Sequence, residues 1–213
     1  MRDIGRPRRF DSDTEREMLL RAARRLLRTR RYGEMTVAAV LEESNLHTRA
    51  FYRHFRSKEE LFLTLYQENA AELCSILERR VDEAASPAAA VEAWIDELLR
   101  LHFDRRSSDH VSIYREAANA ADQPTLVKAS VDQLLAPLRR ALSDGRDDGT
   151  LPNAVPDAHA AMIWSLVWND LAWADRGRRE QRWTTARERL VSFVMTGLAG
   201  PTPAGARSDQ LAP

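Results

Sequence analysis

The 213-residue chain carries 32 Lys or Arg against 32 Asp or Glu and has no formal net charge. Its length allows one large or two small cores, and no run of about 18 apolar residues is present to span a membrane. The single cysteine, Cys74, excludes an internal disulfide and a CxxC zinc pair, so neither metal nor cofactor is expected. The opening residues, Met1 to Arg9, lack the apolar stretch of a signal peptide, and the cytoplasm is the expected compartment. The zero charge hides a division. Residues 1–56 hold fourteen arginines and eight acids, whereas residues 57–213 carry an excess of six negative charges. A basic small part joined to an acidic large part suggests a polyanion partner for the first segment only. A solvated basic face is the competing reading, and charge alone does not separate the two.

The periodicity predicts an all-α chain. A first helix is capped by Asp11-Ser12-Asp13, with Glu15 three residues after Ser12 in a capping-box relation, and its apolar stripe is Leu19, Ala23, Leu26 and Leu27. A short second helix starts after Thr36, a natural N-cap, and buries Val37, Val40 and Leu41. Ser44-Asn45-Leu46 is a tight turn before a third helix over about 47–55. Ser57-Lys58-Glu59-Glu60 is a second capping box, opening a long helix to about Ala85. Ser86-Pro87 starts a helix to about Arg105 with Val91, Ile95, Leu98 and His102 on one face. A shorter helix is predicted over 109–121, then one from Pro124 to about Asp144 with a kink at Pro137. After a loop from Asp147 to Pro156, two last helices cover about 156–176 and 183–198. The tail 201–213 has the composition of a disordered segment.

Two short helices joined by a tight turn form a helix-turn-helix pattern, and Asn45 is a residue that tolerates the positive φ such a turn needs. With Phe51 at the centre of the buried face of the third helix, Phe55 lies about 40° away, and Arg49 and Arg53 fall about 160° to either side. Both guanidinium groups therefore point outward, flanked by Thr48 and Tyr52. Guanidinium suits the O6 and N7 acceptors of guanine in the major groove. An ordinary amphipathic surface helix would show the same pattern.

Met35-Thr36-Val37 through Leu46, followed by Phe51-Tyr52-Arg53-His54-Phe55-Arg56-Ser57-Lys58-Glu59-Glu60-Leu61-Phe62, resembles the TetR family of transcriptional regulators. Ala22-Ala23, Leu26-Leu27 and Tyr32 fit the first helix of that family, and the resemblance covers about residues 12–72. Three positions depart from the pattern. Asn45 replaces the usual turn glycine, His47 the serine that opens the recognition helix, and Arg31 the glycine before the aromatic at the end of helix one. The resemblance implies that Tyr52, His54 and Lys58 grip phosphates and that Thr36 offers one its hydroxyl or amide. It implies that Thr48, Arg49 and Arg53 approach bases, with His47 and Arg49 making the operator sequence particular to this chain. Lys58 also satisfies a physical criterion, since the first turn of a helix favours phosphate. His54 reads equally as a phosphate contact or a satisfied core histidine. Arg6 and Arg8 lie on an arm, 1–11, that reads either as a minor-groove contact or as a solvated tail.

The implied organisation is a helix-turn-helix DNA-binding domain at 12–72, then an effector-binding and dimerisation domain at 73–200. The expected effector pocket, for a small apolar molecule, is lined by Trp94, Leu98, His102, Tyr114, Leu134, Leu138, Trp168 and Asn169, all of which could equally be core. By resemblance, Trp164, Leu190, Val191, Val194 and Leu198 pair with their copies in a homodimer, although these stripes too could be internal core. The function implied is a repressor that binds an inverted-repeat operator in double-stranded DNA and is released by the effector. A helical enzyme for a small apolar substrate is the alternative, but no nucleophile elbow, phosphate loop or HExxH pair supports it. A DNA binder without an effector is the other.

Overall fold

The computed structural model describes residues 11–103, 113, 124–173 and 179–200. These residues form eight long or short α-helices and one 3-10 turn, with no strand among the described residues. The helices are α1 (Ser12–Leu27), α2 (Val37–Ser44), α3 (Thr48–His54), α4 (Lys58–Asp82), α5 (Pro87–Phe103), α6 (Pro124–Asp147), α7 (Pro156–Trp173) and α8 (Arg179–Ala199). No helix among the described residues is long and apolar enough to cross a membrane. The chain divides into two compact units. The first holds the described residues up to Leu73 together with Ile113 and 124–131, and the second holds 74–103 and those from Asp132 onward. The arm 1–10, the tail 201–213 and most of the expected helix 109–121 lie outside the described residues.

In the first unit, α1 packs on α2 and α3. Leu19, Ala23, Leu26 and Leu27 are buried as their spacing predicts, joined by Met35, Val40, Phe51, Phe55, Leu61 and Leu65. Each fully buried side chain of this size stabilises the unit by about 1.5–3 kcal/mol before entropy is counted. Val37 and Leu41 are only half-buried. The helix starts are specified locally. Asp11, one residue earlier than the sequence pattern suggests, caps α1 by accepting from the Thr14 amide at 2.7 Å. Its carboxyl is held below the usual carboxylate range by hydrogen bonds from Thr14. Glu15 therefore has no part in a capping box. At α4, Ser57 Oγ accepts from the Glu60 amide at 3.3 Å, and the Glu60 carboxylate accepts from the Arg56 amide at 2.6 Å.

In the second unit, α5 packs on α7 and α8. Val91, Trp94, Ile95, Leu98 and Leu99 of α5 are buried, as are Leu134, Leu138 and Leu142 of α6 and Ile163, Val167, Leu190, Val194 and Leu198 of the last two helices. Pro137 lies inside α6 without ending it. A proline removes the amide that would bond the carbonyl four residues back, here Gln133, and its ring crowds that carbonyl. Side chains from other helices serve this stretch. The Cys74 thiol donates to the Gln133 carbonyl at 3.7 Å, and the Trp94 indole N–H donates to the Leu134 carbonyl at 3.1 Å. Burial and the neighbouring Glu78 push the Cys74 thiol up, so it stays a neutral donor. Polar ties complete the packing. Arg187 of α8 pairs with Asp96 of α5 at 2.7 Å, and Glu97 of α5 accepts from Arg80 of α4 at 3.0 Å and from Arg100 at 2.5 Å.

Candidate nucleic-acid interface

The turn between α2 and α3 positions the surface. Thr36 caps α2, its hydroxyl accepting from the Ala39 amide at 3.1 Å. Asn45 ends α2 in the left-handed region at φ 54°, the one positive-φ residue other than glycine among the described residues. Glycine is the usual occupant of such a position, but the short side chain of asparagine tolerates it. His47 is the extended N-cap of α3 and makes no side-chain cap bond, as expected of a weaker capping residue.

Helix α3 is two-sided. Ala50, Phe51 and Phe55 are buried, with the Phe51 and Phe55 rings 5.9 Å apart. His47, Thr48, Arg49 and Tyr52 are exposed, so four residues able to touch nucleic acid share one solvent-facing surface. Arg49 forms no ion pair with another described residue. Arg53 behaves differently from Arg49. It turns toward α1, where its Nη1 donates to Glu15 Oε2 at 2.5 Å. His54 Nε2 lies 3.4 Å from the same oxygen, and the ring is 7% exposed, which places it among core groups.

Lys58 lies in the first turn of α4. Its ammonium stands 4.3 Å from the centroid of the Tyr32 ring and 3.4 Å from the Tyr32 carbonyl. Tyr32 packs on Phe62 at 4.4 Å. Glu59 is held below the usual carboxylate range by hydrogen bonds from its own amide and from Ser57. Arg6 and Arg8 lie outside the described residues.

The expected effector residues divide similarly. Trp94, Leu98, Leu134 and Leu138 are each buried, and Trp94 uses its single donor on the Leu134 carbonyl. Trp168 stacks on Trp164 at 5.3 Å, and Trp164 meets Trp94 edge-on at 6.4 Å. Tyr114 lies outside the described residues, as do the side chains of His102 and Asn169. Of the expected dimer residues, Leu190, Val194 and Leu198 are buried in their own protomer and Val191 is half-buried. Among the described side chains of α7 and α8, the large exposed apolar groups are Met162, Leu166 and Phe193, the last 68% exposed. They rim an open groove of about 710 Å³ whose floor includes Ile163, Val194 and Leu198. Sequence reasoning missed this rim because α7 is apolar on more than one side, so spacing does not show which stripe its own core uses. It missed the Glu15 pair because Glu15 also fits a cap pattern.

A bihelical reading head with an exposed polar second helix, followed by a larger helical unit, is the architecture of a helix-turn-helix DNA-binding regulator. Residues 19–65 match the family described as bacterial regulatory proteins, tetR family. The fold is similar to that of FadR from Bacillus subtilis, solved with stearoyl-CoA, at a TM-score of 0.73 and 14% identity over 85% of this chain and 98% of that one. It is similar to reduced NemR of E. coli at 0.72 and 20% identity, over 88% and 100% of the two chains. A tetR-family regulatory protein from Rhodococcus RHA1 matches at 0.72 and 16% identity, over 88% and 98%. The N-terminal part of the chain thus carries a tetR-family helix-turn-helix domain, and the described fold is similar to that of solved regulators.

Proposed function

We propose that this protein is a one-component cytoplasmic repressor that binds an inverted-repeat operator as a homodimer and is released by a small, mainly apolar molecule. The observation that carries the reading is the division of α3, with Phe51 and Phe55 anchoring it while Thr48, Arg49 and Tyr52 face solvent. Arg49 and Thr48 are assigned to base edges, with His47 beside them. Tyr52, Lys58 and Thr36 are assigned to phosphates. One short helix reads too few base pairs alone, so two copies are needed. They pair through α7 and α8, with Met162, Leu166 and Phe193 at the seam over the floor of Ile163, Val194 and Leu198. The stearoyl-CoA held by the Bacillus subtilis FadR supports the expectation of an apolar effector. Trp94, Leu98, Leu134, Leu138 and Trp168, with His102, Tyr114 and Asn169, are the assigned surroundings. Release requires unequal effector affinity for the DNA-bound and free forms, and the coupling is reciprocal.

The experiment selects bound duplexes from a random-sequence pool, then measures Arg49→Ala and Lys58→Ala on the recovered site across salt. Arg49→Ala should cost about 1–3 kcal/mol and relax preference at one base pair per half-site. Lys58→Ala should weaken all duplexes similarly and flatten the salt dependence by about one charge. A pool that yields no inverted repeat, or an Arg49→Ala protein weakened equally on every sequence, would refute the assignment.

A further inference from the structure

Glu15 occupies the first turn of α1, yet its side chain is only 11% exposed. A carboxylate removed from water needs a cation and hydrogen bonds to remain charged. Arg53 of α3 supplies both at 2.5 Å, and the buried His54 ring lies 3.4 Å from the same oxygen. Two other arginines of α1, Arg16 and Arg24, are engaged elsewhere, both with Glu68 at 2.9 and 3.4 Å. Of the two arginines in α3, therefore, one is bound to a neighbouring helix and one is not.

This difference matters because Arg49 and Arg53 are one helical turn apart. An unrestrained Arg53 guanidinium would have the length to reach DNA beside Arg49, and phosphates would be its commonest targets. Phosphate contacts add affinity for every duplex but carry no sequence information. From the ion pair we infer that Glu15 is a specificity-determining positioning residue: it holds Arg53 against α1, off the DNA, and leaves base reading to His47, Thr48 and Arg49. The inference rests on the DNA-binding reading of α3. It also assigns Arg53 a role distinct from the base contact that the helical wheel suggests.

The test uses the full-length protein, the duplex recovered by selection with the wild type, and a scrambled duplex of equal length. Glu15→Gln keeps an oxygen acceptor and removes the charge. It should raise affinity for the scrambled duplex by roughly threefold or more and steepen the salt dependence by about 0.9 per protomer, the effect of one added phosphate contact. The ratio of specific to scrambled affinity should fall correspondingly. In Glu15→Gln/Arg53→Gln, the scrambled affinity and the slope should return to wild-type values, a reversal that a merely structural role for Glu15 would not produce. Glu15→Asp, which keeps the charge but shortens its reach, should shift the same quantities in the same direction and serves if Glu15→Gln does not fold by circular dichroism. Unchanged slope and ratio in the folded single variants overturn the inference, as does a double variant that keeps the steep slope. A wild type that enriches no inverted repeat overturns the DNA reading and this inference together, whereas an enriched repeat with an unchanged Glu15→Gln slope overturns only the inference.

Discussion

Glu97 permits a prediction in which losing two partners costs more than twice losing one. Its carboxylate is 2% exposed and accepts from Arg80 and Arg100, whose side chains are 47% and 46% exposed. Burial alone would raise its pKa, but the hydrogen bonds and charges of Arg100 and Arg80 outweigh it and hold the group below its ordinary 4.5. Removing either arginine leaves the other in place, and each is exposed enough that the pair it forms has surface character. Arg80→Ala and Arg100→Ala should each cost about 0.5–1 kcal/mol. Removing both leaves a buried charge without compensation, which costs about 3–5 kcal/mol. The double variant should therefore exceed the sum of the singles by about 1–4 kcal/mol. Urea unfolding of the four proteins at about pH 7 and about pH 4 measures this coupling and its titration. In the wild type the folded pKa is depressed, so the contribution of Glu97 is complete above 4.5 and is lost as pH falls through the folded value. In the double variant burial is unopposed and the folded pKa rises above the unfolded one. The sign then reverses, and acidification narrows the deficit. Additive single variants, or a deficit independent of pH, would refute the reasoning.

Four further outcomes rest on geometry already described. Phe193→Ala should weaken the dimer a hundredfold or more by sedimentation, since about 1.5–3 kcal/mol is lost from each of two symmetric copies and 1.4 kcal/mol is a decade. Val194→Arg should instead unfold the protomer, because Val194 is buried within it. Asn45→Ala should lower stability by about 1–2 kcal/mol, whereas Asn45→Gly should be tolerated; thermal melting separates them because only alanine is strained at positive φ. Trp94→Phe should cost about 1–3 kcal/mol in urea unfolding by removing the donor to the Leu134 carbonyl beside Pro137.

Local chemistry made most of the helices legible. Thr36, Asn45, Ser57 and Pro87 each mark an end by what they do to one or two amides, and such interactions need no knowledge of the rest of the chain. The helical wheel likewise separated Phe51 from Arg49, because both directions are measured from one axis. It could not orient Arg53, whose direction is set by a carboxylate on another helix 38 residues away. The same limit explains α8. Its stripe of Leu190, Val194 and Leu198 is apolar and periodic, and periodicity states that a stripe is covered without saying by what. The indole of Trp94 was legible as a large buried group, but its tie to α6 was not, since that depends on a helix with Pro137 at the right height.

The inward placement of Leu190, Val194 and Leu198 bears on how the regulator responds to its own abundance. A protomer shields these groups with its own helices, so it can close its core before meeting a partner. For the homodimer proposed above, folding and pairing are then separate equilibria, unlike those of dimers that have no folded monomer. Where concentration lies below the pairing constant, the amount of paired protein grows as the square of the amount made. Occupancy of a DNA site that requires two copies then rises more steeply with synthesis than any single-chain binder allows. In the proposed dimer that threshold is set by Met162, Leu166 and Phe193, which are exposed and separate from the residues that keep each chain folded.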